Sequence, residues 1–117
     1  MSNEVLERSF QFALKIINFS NKMYRQSYEN RPIIQQLLKS GTSIGANIEE
    51  AVAAQSRRDF LTKMYISYKE ARETNYWLRL LKELKIFNQN EITSLINESI
   101  ILIKLLSAIT KSTKRNL

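Results

Sequence analysis

Carboxylates gather in the middle of the chain, at Glu49, Glu50, Asp59, Glu70 and Glu73, and with Asn47 and Ser43 they are the residues whose types and spacing could do chemistry. Asn47, Glu50, Glu70 and Glu73 brought together would make an all-oxygen site, for which magnesium or calcium is the fitting ion. Di-iron chemistry in a helical bundle uses a Glu-x-x-His pair on each of two helices, and the sequence has no histidine. A buried carboxylate must otherwise be paired or protonated. The same residues therefore also fit a structural polar network of Ser43, Asn47, Glu50, Glu70 and Glu73 that fixes helix register or subunit contacts. That network is the expectation, with no catalytic residue, no metal and no cofactor.

Helices must carry these groups. Ser43, Asn47, Glu50 and Ala54 fall on one helical stripe, and Ile44, Ile48, Ala51 and Gln55 on the next, so one side is small and polar while the other is apolar. Two glycines and one proline in 117 residues leave little material for the frequent turns of a sandwich or barrel. One all-α domain follows. With no cysteine and no histidine, disulfides, the usual zinc sites, cysteine nucleophiles and imidazole bases are excluded.

Apolar residues at three- and four-residue spacing predict four helices, over about residues 3–29, 31–54, 57–86 and 90–113. In the first, Val5, Phe12, Ile16, Phe19 and Met23 mark the inner stripe, and Leu6, Phe10, Ala13, Ile17 and Tyr24 widen it. Asn30 is a candidate cap before Pro32, Ser56 before Asp59, and Asn88 or Asn90 before the last helix. Gly41 and Gly45, four residues apart in the second helix, suggest that another backbone passes close by. The third helix carries Phe60, Met64, Tyr68, Ala71, Asn75 and Leu78 on one side and Ile66, Trp77, Leu80, Leu81 and Leu84 on another, so it asks for two burial surfaces. Short connections between such helices specify an antiparallel up-down four-helix bundle, and self-association would supply the second surface.

The motif Ser43-Ile44-Gly45-Ala46-Asn47-Ile48-Glu49-Glu50-Ala51, followed by Ser56 with Asp59-Phe60 and by Lys69-Glu70-Ala71, Glu73-Thr74 and Tyr76-Trp77-Leu78, resembles the four-helix-bundle proteins encoded in intervening sequences of bacterial 23S ribosomal RNA genes. Glu50-Ala51 stands where other members carry Glu-Gly. The resemblance covers nearly the whole chain and implies a small cytoplasmic bacterial protein that forms a ring of subunits, typically a homopentamer. It implies no catalytic residues, and nucleic-acid binding is the family's usual conjecture.

The net charge of +7 favours acidic partners through long-range attraction. Its leading nucleic-acid-binding candidates are Arg79, Lys82, Lys85, Lys111, Lys114 and Arg115, near helix ends or in the tail and away from Glu70 and Glu73, with Arg57 and Arg58 a further pair. A ring would repeat each group into a belt able to touch several phosphates of RNA or DNA without reading bases. Tyr76 and Trp77 could stack on bases, although packing is the expected role of Trp77. The alternative is a protein-protein scaffold whose basic surface keeps it soluble. No small-molecule substrate is expected. A secretion signal is not evident, and the apolar run 100–109, interrupted by Lys104, is about half a membrane span, so a cytoplasmic protein without a membrane segment is expected.

Overall fold

In the computed structural model, which describes residues 3–117, the chain forms α1 (Asn3–Gln26), α2 (Arg31–Val52), α3 (Arg57–Leu84) and α4 (Gln89–Arg115). Consecutive helices lie side by side and α4 closes against α1, which makes an antiparallel bundle with extents of 46 × 20 × 19 Å. The α1–α4 seam is the thinnest of the four.

Each boundary has a local cause. The Asp59 and Glu91 amides donate to the side-chain oxygens of Ser56 and Asn88 at 3.0 and 2.9 Å, satisfying donors that the first turns of α3 and α4 leave orphaned. Asn30 does not act as the expected cap; its Nδ2 donates to Ser27 Oγ at 2.8 Å, and Pro32 in the first turn carries the start of α2 instead. α1 stops at Gln26, earlier than its apolar pattern suggests, because residues 27–30 turn. α3 stops at Leu84, where Lys85 adopts φ 59° and returns its amide to the Lys82 carbonyl.

The core repeats the spacing read from the sequence. Phe12, Ile16 and Phe19 of α1 meet Ile34, Leu37, Ile44 and Ile48 of α2, Met64, Ala71, Leu78 and Leu81 of α3, and Ile92, Leu102 and Leu106 of α4, all fully buried. By length and composition α4 could cross a membrane, and here it buries Ile92, Leu95, Leu102 and Leu106 in the core. The second apolar side of α3 is smaller than its spacing implies. Leu81 is buried and Trp77 packs against the core, which leaves Ile66 and Leu84 as its exposed members. The larger uncovered apolar patch is on α1, where Phe10 (57% exposed), Leu14 and Ile17 face outward beside Ala46 in the α1–α2 groove.

The two glycines of α2 differ. A Cβ at Gly45 would stand 3.3 Å from the Ser9 hydroxyl and 3.5 Å from the Ser9 carbonyl oxygen, so the backbone of α1 does pass close by, as the spacing suggests. At Gly41 the neighbour is a side chain: a Cβ would stand 2.8 Å from Ile16 Cγ2 and 3.2 Å from Ile16 Cβ. Because Ile16 is β-branched and fully buried, it has little room to yield. Gly41→Ala should therefore destabilise the protein by about 1–2 kcal/mol, overpacking outweighing the gain in helix propensity. Gly45→Ala should be near neutral, and urea midpoints of the two variants check the contrast.

Candidate nucleic-acid interface

Polar bonds do cross between the helices, but short side chains make them. The Ser67 hydroxyl donates to the Ile44 carbonyl at 2.8 Å and the Thr74 and Ser40 hydroxyls meet at 2.9 Å, joining α3 to α2. Asn75 Nδ2 donates to Ser99 Oγ at 3.0 Å, joining α3 to α4. Ser40, Ser67, Thr74 and Ser99 are fully buried, so each hydroxyl needs the partner it has. Ser67 and Thr74 lie seven residues apart on the inner stripe of Met64, Ala71 and Leu78, the one signal in the sequence that could have singled them out.

The five residues expected to form the polar network are placed apart. Ser43 Oγ and Asn47 Nδ2 bond to the carbonyls of Lys39 and Ser43 in their own helix, at 2.7 and 2.8 Å. Glu50 is exposed and pairs with Lys63 of α3 at 2.9 Å, which raises the Lys63 pKa. Glu73 is exposed and accepts from Trp77 Nε1 at 3.1 Å. Among the described residues no hydrogen bond joins two of the carboxylates, and no group of three acidic side chains converges on a possible ion.

Glu70 is the perturbed member. Partial burial raises its pKa, the neighbouring Glu73 charge raises it further, and Lys39 and Lys69 act against both. The folded state therefore holds this proton more tightly than the unfolded chain does. The resulting penalty is absent below the ordinary carboxylate range and appears as pH rises through that range toward the folded value. Glu70→Gln should raise the melting temperature slightly at neutral pH and leave it unchanged near pH 3, where the parent carboxyl is already neutral, to about the precision of a melting curve. Glu70 is only partly buried, so solvent screening keeps the effect small.

The six basic candidates separate into two groups. Arg79, Lys82 and Lys85 lie toward the end formed by the 27–30 and 85–88 turns, where Phe19 packs edge-on against Phe87 and Lys22 pairs with Glu91. Lys111, Lys114 and Arg115 lie toward the opposite end, where Arg57 Nη1 donates to the Asn116 carbonyl at 2.8 Å. Among the described residues none of the six forms an ion pair, whereas Glu4, Glu50, Glu91 and Glu98 are all paired.

Between the two groups runs a stripe that starts from Arg79 and adds Lys69 and Arg72, which are not among the six candidates. On the outer side of α3, Lys69 stands over the Tyr65 ring at 5.9 Å, Arg72 over Tyr68 at 5.9 Å and Arg79 over Tyr76 at 5.8 Å. The signal was present as tyrosines followed by cations at three- or four-residue spacing. Tyr65 and Tyr76 are about half exposed, while Trp77 packs inward as its spacing suggests.

A model of the 23S rRNA-intervening sequence protein family matches residues 1–108. The chain is similar to a protein of unknown function from the S23 ribosomal protein family of Bacteroides thetaiotaomicron, whose crystal structure it matches at a TM-score of 0.84 and 43% identity, over 92% of this chain and 98% of that one. No curated protein matches it. A profile match over most of the chain, and a relative that shares both its sequence and its four-helix architecture, establish that it belongs to the 23S rRNA-intervening sequence protein family.

Proposed function

We propose that this protein is a non-enzymatic, cytoplasmic homo-oligomer, a ring of five copies as the family resemblance implies, that binds RNA or DNA through phosphate contacts. The observation that carries the reading is the asymmetry of pairing. Among the described residues four of the eleven acidic side chains pair with three of the eighteen basic ones, and Arg79, Lys82, Lys85, Lys111, Lys114 and Arg115 stand outside those pairs and stay available to an anionic partner. The apolar groove of Phe10, Leu14, Ile17 and Ala46 supports self-association, since covering it removes exposed apolar area from water.

The same groove favours a second reading, a protein-protein scaffold that binds no nucleic acid. A salt series separates the two. Phosphate contact releases counterions, so affinity for labelled RNA and DNA should fall steeply as salt rises. Absence of binding at low salt, where attraction is strongest, would leave the scaffold. Light scattering tests the assembly, and a monomer at micromolar concentration would remove the ring.

A further inference from the structure

We propose that the outward face of α3 is a track for single-stranded nucleic acid, with Tyr65 and Tyr76 as stacking platforms for bases and Arg72 and Arg79 as phosphate contacts. The proposal rests on the nucleic-acid reading above and narrows it to one class of ligand.

Three observations carry it. First, aromatic and cationic side chains share one outer stripe from Tyr65 to Arg79, a length of about 21 Å at 1.5 Å per residue, or about six nucleotides at stacked spacing. Second, Tyr65 is 52% exposed and Tyr76 47%, each meeting one neighbouring ring, Tyr68 and Trp77, and leaving the rest of its surface open to solvent. Third, the stripe continues into a groove of about 590 Å³ between α3 and α4, where Tyr65 and Tyr68 face Lys111 and Lys114. The track thus joins the two basic groups that lie at opposite ends of the bundle. Glu70 lies one helical turn before Thr74, which bonds to Ser40 of α2, so it belongs to the α2 side of α3 rather than to this face.

Single strands suit this surface better than duplex. Unpaired bases expose the π faces that stack on tyrosine, and stacking tolerates any sequence, as a site without base-reading groups requires. A duplex hides those faces and would gain only the charge contacts.

The test uses the full chain and fluorescently labelled single strands of about a dozen nucleotides, as RNA and as DNA, beside the duplex of the same sequence at one salt concentration. The parent should bind single strands more tightly than duplex, and preference for either sugar is compatible with stacking. Tyr65→Ala and Tyr76→Ala should each weaken single-strand binding between about fivefold and a hundredfold and leave duplex binding unchanged. Tyr65→Phe and Tyr76→Phe keep the rings and should bind like the parent. Equal or tighter duplex binding, or alanine variants that bind like the parent, would overturn the track while leaving the charge-driven reading intact. A changed oligomer mass in the alanine variants would also overturn it, assigning this face to a second copy of the chain. If no nucleic acid bound in any form, the track and the reading beneath it would both fall.

Discussion

Phe19→Ala should lower the free energy of unfolding by about 3–5 kcal/mol, the largest single-residue loss expected in this bundle. Phe19 is fully buried, and its ring meets Phe87 edge-on with centroids 6.3 Å apart, so it ties α1 to the segment between α3 and α4. α1 has few other ties on that flank. The ion pairs Arg8–Glu98 and Lys22–Glu91 bridge α1 and α4, but all four side chains retain solvent contact and such pairs contribute about 0–1 kcal/mol each. Against a total stability of about 5–15 kcal/mol, loss of the ring would leave the variant close to unfolding at 37 °C. Urea denaturation measures it, as a lower midpoint with an unchanged slope. A loss of less than about 1 kcal/mol would mean that α1 is not docked through Phe19.

Reversal of Lys111, Lys114 and Arg115 to glutamate should weaken nucleic-acid binding on the order of a hundredfold at low salt and flatten its salt dependence by about two units of slope. Each reversal changes the charge by two, so the chain falls from +7 to +1. All three side chains are exposed at the end of α4 and none is in an ion pair among the described residues, so the fold should be unaffected. Because phosphates carry no sequence information, unrelated sequences should lose affinity by a similar factor. Loss confined to one sequence would point to base contacts at these positions. Binding equal to the parent's would move the interface away from α4.

Helix number, order and inner stripes were legible because Phe12, Ile16 and Phe19, like Ile44 and Ile48, recur at the helical period, and because Ser56 and Asn88 announce the starts that they cap. Residue partners were much less legible. Glu50 and Glu73 are long enough to reach solvent-side partners from the edge of the bundle, so their spacing on a helix does not decide whether they meet. Ser67 and Thr74 have no such reach, and from their inner position they bond across to α2, Thr74 also to the Glu70 carbonyl of its own helix. Period alone also overstated the cover available to α1. Phe10 and Ile17 belong to a wide apolar face by count, but helix rotation turns them outward while Phe12 and Phe19 face in. As for the basic candidates, the sequence placed them near helix ends but could not say which ends share a pole of the bundle.

The thin seam between α1 and α4 bears on how the chain reaches this structure. Every other helix pair is joined by a short turn, so those interfaces form between neighbours with little loop-closure entropy to overcome. Such local topology is the kind that folds on fast timescales. The seam alone must draw together the first and last helices of the chain, and it has the least contact to offset that cost. A helical hairpin of α2 and α3, aligned by Ser67 and Thr74, is thus the natural nucleus, and closure of α1 on α4 the step that completes the native barrel of side chains.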